Sequence, residues 1–227
     1  DRLLSRGLGD VYKRQYLIAS AKGREAIIID PVLENVDEYI AHLKELDLKL
    51  VKVIDTHIHA DHITGASKLK INTNCTTIMG ENSPAETVDI KLKDDGIIEI
   101  DKLKIRAMFT PGHTSDSYSF LMDNYLFSGD TLLINGTGRT DFQNGSSKDA
   151  YHSLFHKLLK LPEETILYPG HDYNGKKSST IGKEKEHNPR LQVENVDQYI
   201  EIMSNLNLSK PKMIDHNISR NLKLGDN

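Results

Sequence analysis

Short apolar runs, each closed by polar residues or glycine, recur along most of the chain and predict β-strands. Asp101-Lys102 and Asp123-Asn124 each separate two such runs by only two residues, so we expect two β-hairpins. The runs are residues 16–19, 26–29, 50–54, 76–79, 97–100, 103–109, 118–122, 125–127 and 165–168.

Three other segments repeat apolar residues every three or four positions, which predicts amphipathic helices with one buried face. Asn35 and Glu38 stand in the positions of a capping box at the first helix. Ser147 stands at the start of the second helix, and the third begins near Asn195. The buried stripes are Val36, Tyr39, Ile40, Leu43 and Leu46, then Tyr151, Leu154, Phe155, Leu158 and Leu159, and then Val196, Tyr199, Ile200, Met203 and Leu206.

Composition mainly excludes classes of function and location. The chain has 227 residues, of which 37% are hydrophobic and 27% charged, as expected for one soluble globular domain of the α/β class. A net charge of -4 offers no basic surface to nucleic acid or to an anionic membrane, and no apolar run is long enough to span a bilayer. Cys75 is the only cysteine, so no intramolecular disulfide can form, and we expect a reducing compartment rather than secretion.

Residues 1–15 lack the periodicity of the segments that follow. This stretch is basic, contains glycine and has no apolar core of the secretory type. We therefore expect residues 1–15 to be a non-native or unstructured leader, and residues 16–227 to form a single domain.

Residues 55–62, directly after a predicted strand, contain the highest density of potential metal ligands in the chain. Histidines and a carboxylate stand there with the spacing His57-x-His59-x-Asp61-His62. Imidazole binds Zn, Fe, Cu and Ni, whereas carboxylate binds harder ions. A loop at the end of a buried strand holds such ligands at fixed positions. The spacing therefore predicts a metal site rather than an ordinary polar loop.

Three more candidate ligands, His113, Asp130 and His171, stand just past other predicted strands. Each of them directly follows a glycine. Glycine lets the backbone turn sharply, so the next side chain can point back over the strand ends. Four loops at the ends of four strands can converge in this way, and we expect these three residues to meet His57 at one metal site.

This set of residues resembles the metal motif of the metallo-β-lactamase superfamily. The resemblance covers about residues 16–170, and it implies an αββα sandwich. In that fold two mixed β-sheets lie face to face, helices flank them on the outside, and metal binds at one edge. The motif consists of His57, His59, Asp61, His62, His113, Asp130 and His171, in that order along the chain.

Further segments are similar to one family within that superfamily, the ETHE1-type persulfide dioxygenases. The similarity implies an enzyme that oxidises glutathione persulfide with O2 and water to sulfite and glutathione, forms a homodimer, and resides in the bacterial cytoplasm or the mitochondrial matrix. It also implies one Fe(II) per chain, held by His57, His113 and Asp130, which are then the catalytic residues. Such a ligand set leaves positions open for the persulfide and O2. The similar segments are residues 130–143, 168–175, 187–191 and 202–212.

Arg139 and Tyr173 are the candidates for substrate binding. Glutathione persulfide has carboxylates, and an arginine can bind a carboxylate through two parallel hydrogen bonds. An alternative stays open for each residue. Arg139 could form a structural salt bridge with Asp141, and Tyr173 could simply pack beside the metal loop.

His59, Asp61, His62 and His171 separate two interpretations of the site. In a dioxygenase they surround the iron without binding it. In a binuclear zinc thioester hydrolase of the glyoxalase II type, they complete the ligands of two Zn ions and a bridging hydroxide. The segment after His171 is short for the glyoxalase II substrate domain, which favours the dioxygenase. A metal-binding or sensory domain without catalysis is a third alternative.

Overall fold

A computed structural model of the protein describes the backbone of residues 4–8 and all of residues 13–173, 175–210 and 213–226. In this part of the chain the apolar runs fold into two six-stranded sheets. No helix among these residues is long and apolar enough to cross a membrane.

Alternate side chains of one strand pack into two different cores. In Gln15–Ala19, Tyr16 and Ile18 lie between the two sheets, whereas Leu17 and Ala19 pack against helices. Successive side chains of a strand point to opposite faces, so a strand that is apolar at every position must be covered on both sides. This double burial is the reason that the first predicted runs are continuous rather than alternating.

The first sheet is mixed, and the histidine loop leaves from one of its inner strands. Its strands are β1 (Leu4–Leu8), β2 (Gln15–Ala19), β3 (Glu25–Ile29), β4 (Lys49–Ile54), β5 (Thr76–Gly80) and β6 (Ile90–Leu92). They lie in chain order; β1, β2 and β3 pair antiparallel, and β3 to β6 pair parallel. β4 has a neighbour on each side, so its end is held firmly where residues 55–62 begin.

The second sheet is also mixed and has the order β14-β13-β10-β9-β8-β7. Its strands are β7 (Ile97–Ile100), β8 (Leu103–Phe109), β9 (Tyr118–Met122), β10 (Tyr125–Gly129), β13 (Ile166–Pro169) and β14 (Ser179–Thr180), with a separate ribbon of β11 (Leu132–Leu133) and β12 (Gly136–Thr137). β10 pairs parallel with β13, and β9 pairs antiparallel with both β8 and β10. β8, β10 and β13 therefore run in one direction and end at the same edge.

Helices cover the outer face of each sheet. α1 (Val36–Glu45), α2 (Ala66–Thr73) and α6 (Ile214–Asn221) pack on the first sheet. α3 (Ser147–His152), which continues as a π-helical turn at Ser153–Lys157, packs on the second sheet with α4 (Ile181–His187) and α5 (Val196–Ser204). The three apolar clusters between these four layers confirm the αββα sandwich.

Part of the expected leader is folded. Leu4–Leu8 pairs antiparallel with β2, and Gln15 is the first residue of β2. An unstructured leader is therefore the wrong expectation for residues 4–8. Residues 1–3 and 9–12 lie outside the described residues, and the non-native origin of this stretch and the single-domain assignment stay predictions.

The structure also differs from the sequence expectations at helix ends. Asn35 makes no side-chain capping hydrogen bond, because it already lies in a 3-10 turn. The second helix is capped by Ser146, one residue earlier than expected, whose side chain accepts from the backbone N–H of Asp149. Neither α4 nor α6 was expected. The buried residues of α6 are Asn217 and Asn221, so this helix has no apolar periodicity by which the sequence could have indicated it.

Candidate metal centre

Loops from both sheets meet at one edge of the sandwich. Residues 55–62 follow β4 of the first sheet, and His113, Asp130 and His171 follow β8, β10 and β13 of the second. The approach is close because Gly129 has a φ of 50°, and a Cβ there would lie 2.6 Å from Oγ1 of Thr56. Any other residue at this position would push the two loops apart.

The structure brings His57, His113 and Asp130 together. One ligand atom from each lies within 4.8 Å of the other two. The rings of His57 and His113 have centroids 4.9 Å apart, and Nε2 of His113 lies 3.7 Å from Oδ2 of Asp130. This group is the one that the resemblance to the dioxygenases implied for iron.

Neighbouring groups select the ring nitrogen that each histidine of this group leaves free. Nδ1 of His113 lies 2.8 Å from the carbonyl oxygen of Arg139, so Nδ1 must donate and Nε2 keeps its lone pair. Oγ1 of Thr56 donates to Asp30 at 3.0 Å and lies 2.9 Å from Nδ1 of His57, which therefore donates in turn. Burial, with the nearby His59 and His113, holds the pKa of His57 well below its usual value, which favours the neutral ring that metals bind.

His171 lies beside this group and connects two carboxylates. Its Nδ1 lies 2.7 and 2.9 Å from the two oxygens of Asp130, and its Nε2 lies 3.2 Å from Oδ2 of Asp61. Burial alone would lower the pKa of His171, but Asp130 and Asp61 raise it well above its usual value. A histidine that donates from both nitrogens orients both carboxylates.

A second group consists of His59, Asp61 and His62, whose ligand atoms also lie within 4.8 Å of one another. Nε2 of His59 contacts Asp30 at 3.1 Å, and Nδ1 of His62 contacts Asp61 at 3.1 Å. The other ring nitrogens, Nδ1 of His59 and Nε2 of His62, are buried and have no hydrogen-bond partner among the described residues. Buried imidazole nitrogens without a partner are unusual, and they fit a position where a cation can bind.

Asp30 and Asp55 hold the loop of residues 55–62 through buried hydrogen bonds, and the sequence pattern did not indicate either of them as a functional residue. Asp30 accepts from the N–H and hydroxyl of Thr56 at 2.7 and 3.0 Å, and it contacts His59. Asp55 accepts from the hydroxyl of Thr64 at 2.9 Å, and burial raises its pKa to about 7. Asp30 directly follows a buried strand, so the strand-end rule that selected the other ligands could have found it.

Helix α6 holds the backbone of the histidine loop. The side-chain amide of Asn221 donates to the carbonyls of His59 and His62, both at 2.8 Å, and its oxygen accepts from the N–H of Thr64 at 2.9 Å. Asn217 adds a hydrogen bond to the carbonyl of Ala60 at 2.9 Å. Polar residues near the carboxyl end of the described chain therefore fix a loop more than 150 positions earlier.

A cavity of about 530 Å³ lies next to the group of His57, His113 and Asp130 and is open to solvent. Asp61, Asp130 and three histidines line it together with the loop after β10 and residues 208–210. The lining residues are His57, Ala60, Asp61, His113, Asp130, Leu133, Thr137, Gly138, Arg139, His171, Tyr173, Arg190, Leu208, Ser209 and Lys210.

Both predicted substrate residues line this cavity, but their surroundings differ. Tyr173 is 67% exposed and stacks on His171, with ring centroids 6.1 Å apart. The guanidinium of Arg139 instead binds both oxygens of Asp141, at 2.7 and 2.8 Å. This pair is the structural salt bridge that the sequence left open as the alternative.

Arg190 is a second arginine that lines the cavity, and it was not among the residues predicted to bind substrate. Its guanidinium donates to the backbone carbonyl of Thr137. Within the described residues no carboxylate forms an ion pair with it, and burial lowers its pKa. Arg190 lies in residues 187–191, one of the segments similar to the persulfide dioxygenases, and this position could have indicated it.

The comparisons with known proteins agree with this geometry. The model of the metallo-β-lactamase superfamily matches residues 8–171. The mitochondrial persulfide dioxygenase ETHE1 of Homo sapiens is 39% identical over 213 residues, which cover 92% of this chain and 83% of the human protein. The crystal structure of ETHE1 from Myxococcus xanthus superposes with a TM-score of 0.95 at 42% identity, and covers 98% of this chain and 100% of that one.

Hydrolases of the same superfamily are more distant. The hydroxyacylglutathione hydrolase of Dictyostelium discoideum is 32% identical over 184 residues, which cover 75% of this chain and 67% of that protein. Both its identity and its coverage of this chain are lower than those of the human dioxygenase, which favours the dioxygenase interpretation.

Proposed function

The chain belongs to the metallo-β-lactamase superfamily and, within it, to the ETHE1-type persulfide dioxygenase family, and from this we propose that it is an enzyme that oxidises glutathione persulfide with O2. The reaction consumes one persulfide, one O2 and one water, and it yields glutathione, sulfite and two protons. The hydrolase alternative is the weaker one, since the hydroxyacylglutathione hydrolase is less similar and covers less of the chain.

The observation that supports the proposal most directly is the group of His57, His113 and Asp130. Two neutral imidazoles and one carboxylate on one side of a metal are the ligand set of non-haem Fe(II) oxygenases. Thr56 and the Arg139 carbonyl occupy the Nδ1 atoms of the two histidines, which leaves both Nε2 atoms for a metal. We propose that these three residues hold one Fe(II) per chain, which supplies the one-electron chemistry that O2 needs in order to react with sulfur.

Neighbouring residues orient the carboxylate of Asp130 and the ring of His57. Hydrogen bonds from Nδ1 of His171 hold both oxygens of Asp130. Asp30 is 3% exposed and fixes His57 through the hydroxyl of Thr56. The protein thus positions its ligands before substrate arrives, which spares that cost during the reaction.

The cavity is suited to a small anionic substrate. Its volume of about 530 Å³ lies in the ordinary range for small-molecule sites. Its lining includes the cations Arg190 and Lys210 as well as the two carboxylates Asp61 and Asp130, which lie beside the histidines. Carboxylates of the glutathione group would bind these cations, and the persulfide sulfur would lie at the group of His57, His113 and Asp130. Tyr173 and its neighbour His171 would flank the sulfur.

The test is to purify the protein from cells grown with ample iron, measure its metals, and follow O2 uptake with glutathione persulfide. We expect about one iron per chain, O2 uptake, and one sulfite for each O2 consumed. Glutathione itself, which lacks the outer sulfur, is the matched control and should cause no uptake.

The group of His59, Asp61 and His62 is the observation that favours a second candidate, the binuclear zinc hydrolase. Two tightly bound zinc ions, thioester hydrolysis and no O2 uptake would replace the dioxygenase proposal with this one. A homodimer is a further expectation, and static light scattering of the purified protein would measure it. The mitochondrial matrix or the bacterial cytoplasm stays the predicted compartment.

A further inference from the structure

Arg139 makes contacts in two directions at the rim of the cavity. Nε and Nη2 bind the two oxygens of Asp141, at 2.7 and 2.8 Å. Nη1 donates to the carbonyl of Ser209 at 2.7 Å, and Nη2 also donates to the carbonyl of Leu208 at 3.3 Å. A guanidinium has five N–H groups, and these contacts occupy four of them. A direct bidentate contact with a substrate carboxylate would require some of these bonds to break.

The carbonyls that Arg139 binds belong to a wall of the cavity. Residues 205–210, which we call the tail segment, follow α5, and Leu208, Ser209 and Lys210 of this segment line the cavity. Leu206 packs against the apolar cluster of the second sheet and holds the start of the segment, whereas Leu208 is 45% exposed, so apolar packing contributes little at residues 208–210. The two hydrogen bonds from Arg139 are therefore important for its position.

The backbone of Arg139 contacts the metal group at the same time. Its carbonyl accepts from Nδ1 of His113 at 2.8 Å. One residue thus contacts a proposed iron ligand through its backbone and the tail segment through its side chain. Arg139 therefore links the position of the tail segment to that of His113.

The tail segment also places a cation at the cavity. Nζ of Lys210 lies 5.6 Å from the ring centroid of Phe142, and Cζ of Arg139 lies 4.4 Å from the same centroid. No carboxylate of the described residues forms an ion pair with Lys210. Its ammonium therefore has a defined position and remains able to bind an anion that enters the cavity.

We propose that Arg139 is a positioning residue: it binds the tail segment so that Lys210 meets a carboxylate of the substrate, and Arg139 itself does not bind the substrate. This inference rests on the proposed function for the identity of the substrate. It replaces the direct substrate contact that the sequence alone suggests for Arg139.

Asp141→Asn separates the two roles, because Asp141 does not line the cavity and the variant keeps every cation. If Arg139 positions the tail segment, losing its carboxylate partner should raise the KM for glutathione persulfide several-fold with little change in kcat. Lys210→Gln should also raise the KM. If Arg139 bound the substrate directly, releasing it from Asp141 would leave the KM unchanged or lower it.

Hydrogen exchange of the backbone amides in residues 205–210 tests the same inference without turnover. Exchange should be faster in Asp141→Asn than in the unaltered protein, but not in Lys210→Gln. Asp37→Asn is the matched control, since Asp37 forms an exposed pair with Lys68 on the other sheet's helices. Unchanged exchange in Asp141→Asn, or faster exchange with an unchanged KM, would overturn the inference. Absence of O2 uptake in the unaltered protein would instead refute the proposed function, and the exchange result would still show whether Arg139 holds the tail segment.

Discussion

His57 and His113 have equivalent roles in the proposed site, yet different partners fix them. A hydroxyl that is itself bound to Asp30 orients His57, whereas a backbone carbonyl orients His113. Both arrangements leave Nε2 as the free nitrogen. Asp61 differs, because both of its described histidine contacts, with His62 and His171, lie outside the iron group.

These differences lead to a prediction for single substitutions. His113→Ala and Asp130→Ala should abolish iron binding, because each removes a proposed ligand. Asp61→Ala should keep iron but weaken its affinity about 10–100-fold, which is the usual effect of a residue that orients a ligand. Iron content after dialysis against increasing concentrations of a chelator ranks the iron affinities of these variants.

His42→Ala is the matched control, because His42 lies on α1, outside both histidine groups, and pairs there with the exposed carboxylates of Glu38 and Glu45. Its iron content should equal that of the unaltered protein. Equal loss of iron in Asp61→Ala and His113→Ala would mean that Asp61 is itself a ligand.

Among the secondary-structure elements, α6 has the least expected role. It is a short helix whose buried residues are polar, and it holds the histidine loop through side-chain amides. Its hydrogen bonds replace those that the loop cannot make to itself, because residues 55–62 form neither helix nor strand.

Asn221→Ala should therefore destabilise the fold and loosen the site. The substitution leaves the Thr64 N–H and two buried carbonyls without their partner. An unsatisfied buried group of this kind costs on the order of 1–3 kcal/mol, so the free energy of unfolding should fall by at least that amount. Urea denaturation of the metal-free protein measures it.

Asn205→Ala is the comparison, since Asn205 lies at the end of α5 and its side chain makes an exposed hydrogen bond. Its unfolding free energy should change by less than about 0.5 kcal/mol. If both variants unfold at the same urea concentration as the unaltered protein, α6 does not support the histidine loop.

In the whole molecule, the proposed metal site joins the two halves of the sandwich. His57 comes from a loop of the first sheet, and His113 and Asp130 come from the second. A bound ion would link the sheets at the edge where their loops meet, in addition to the apolar core between them.

Metal binding should therefore raise the stability of the whole fold. At a free Fe(II) concentration about 100 times the Kd, the gain is about 2.7 kcal/mol, because only the folded chain brings the ligands together. Thermal unfolding under anaerobic conditions, with and without Fe(II), measures the change in Tm. The Tm of His113→Ala should not rise when Fe(II) is added. An equal rise in the Tm of both proteins would show that iron binds elsewhere.

Local patterns were sufficient to predict most strands and the main ligands. The continuous runs at 16–19 and 26–29 and the two hairpins appear as predicted, and the third helix forms at Val196–Ser204. Its buried stripe is confirmed at Tyr199 and Met203, whereas Ile200 is 37% exposed and Leu206 lies beyond the end of the helix. Strand-end positions after glycine selected His113, Asp130 and His171, which the structure brings together with His57 and Asp61. These features depend on short-range order: side-chain periodicity within a strand or helix and the freedom of glycine at its end.

The tertiary structure alone decided which atoms are free and which are occupied. Nothing near Arg139 in sequence indicates that the carbonyls of residues 208 and 209 take up its donors. Nothing near Asn221 indicates a contact with His59. The sequence by itself determined most of the strands, the helices α1, α3 and α5, and the kinds of ligand available. The pairing of polar groups over distances of 70 to 160 residues follows from the packing of the layers, because a hydrogen bond depends on positions in space that local periodicity does not encode.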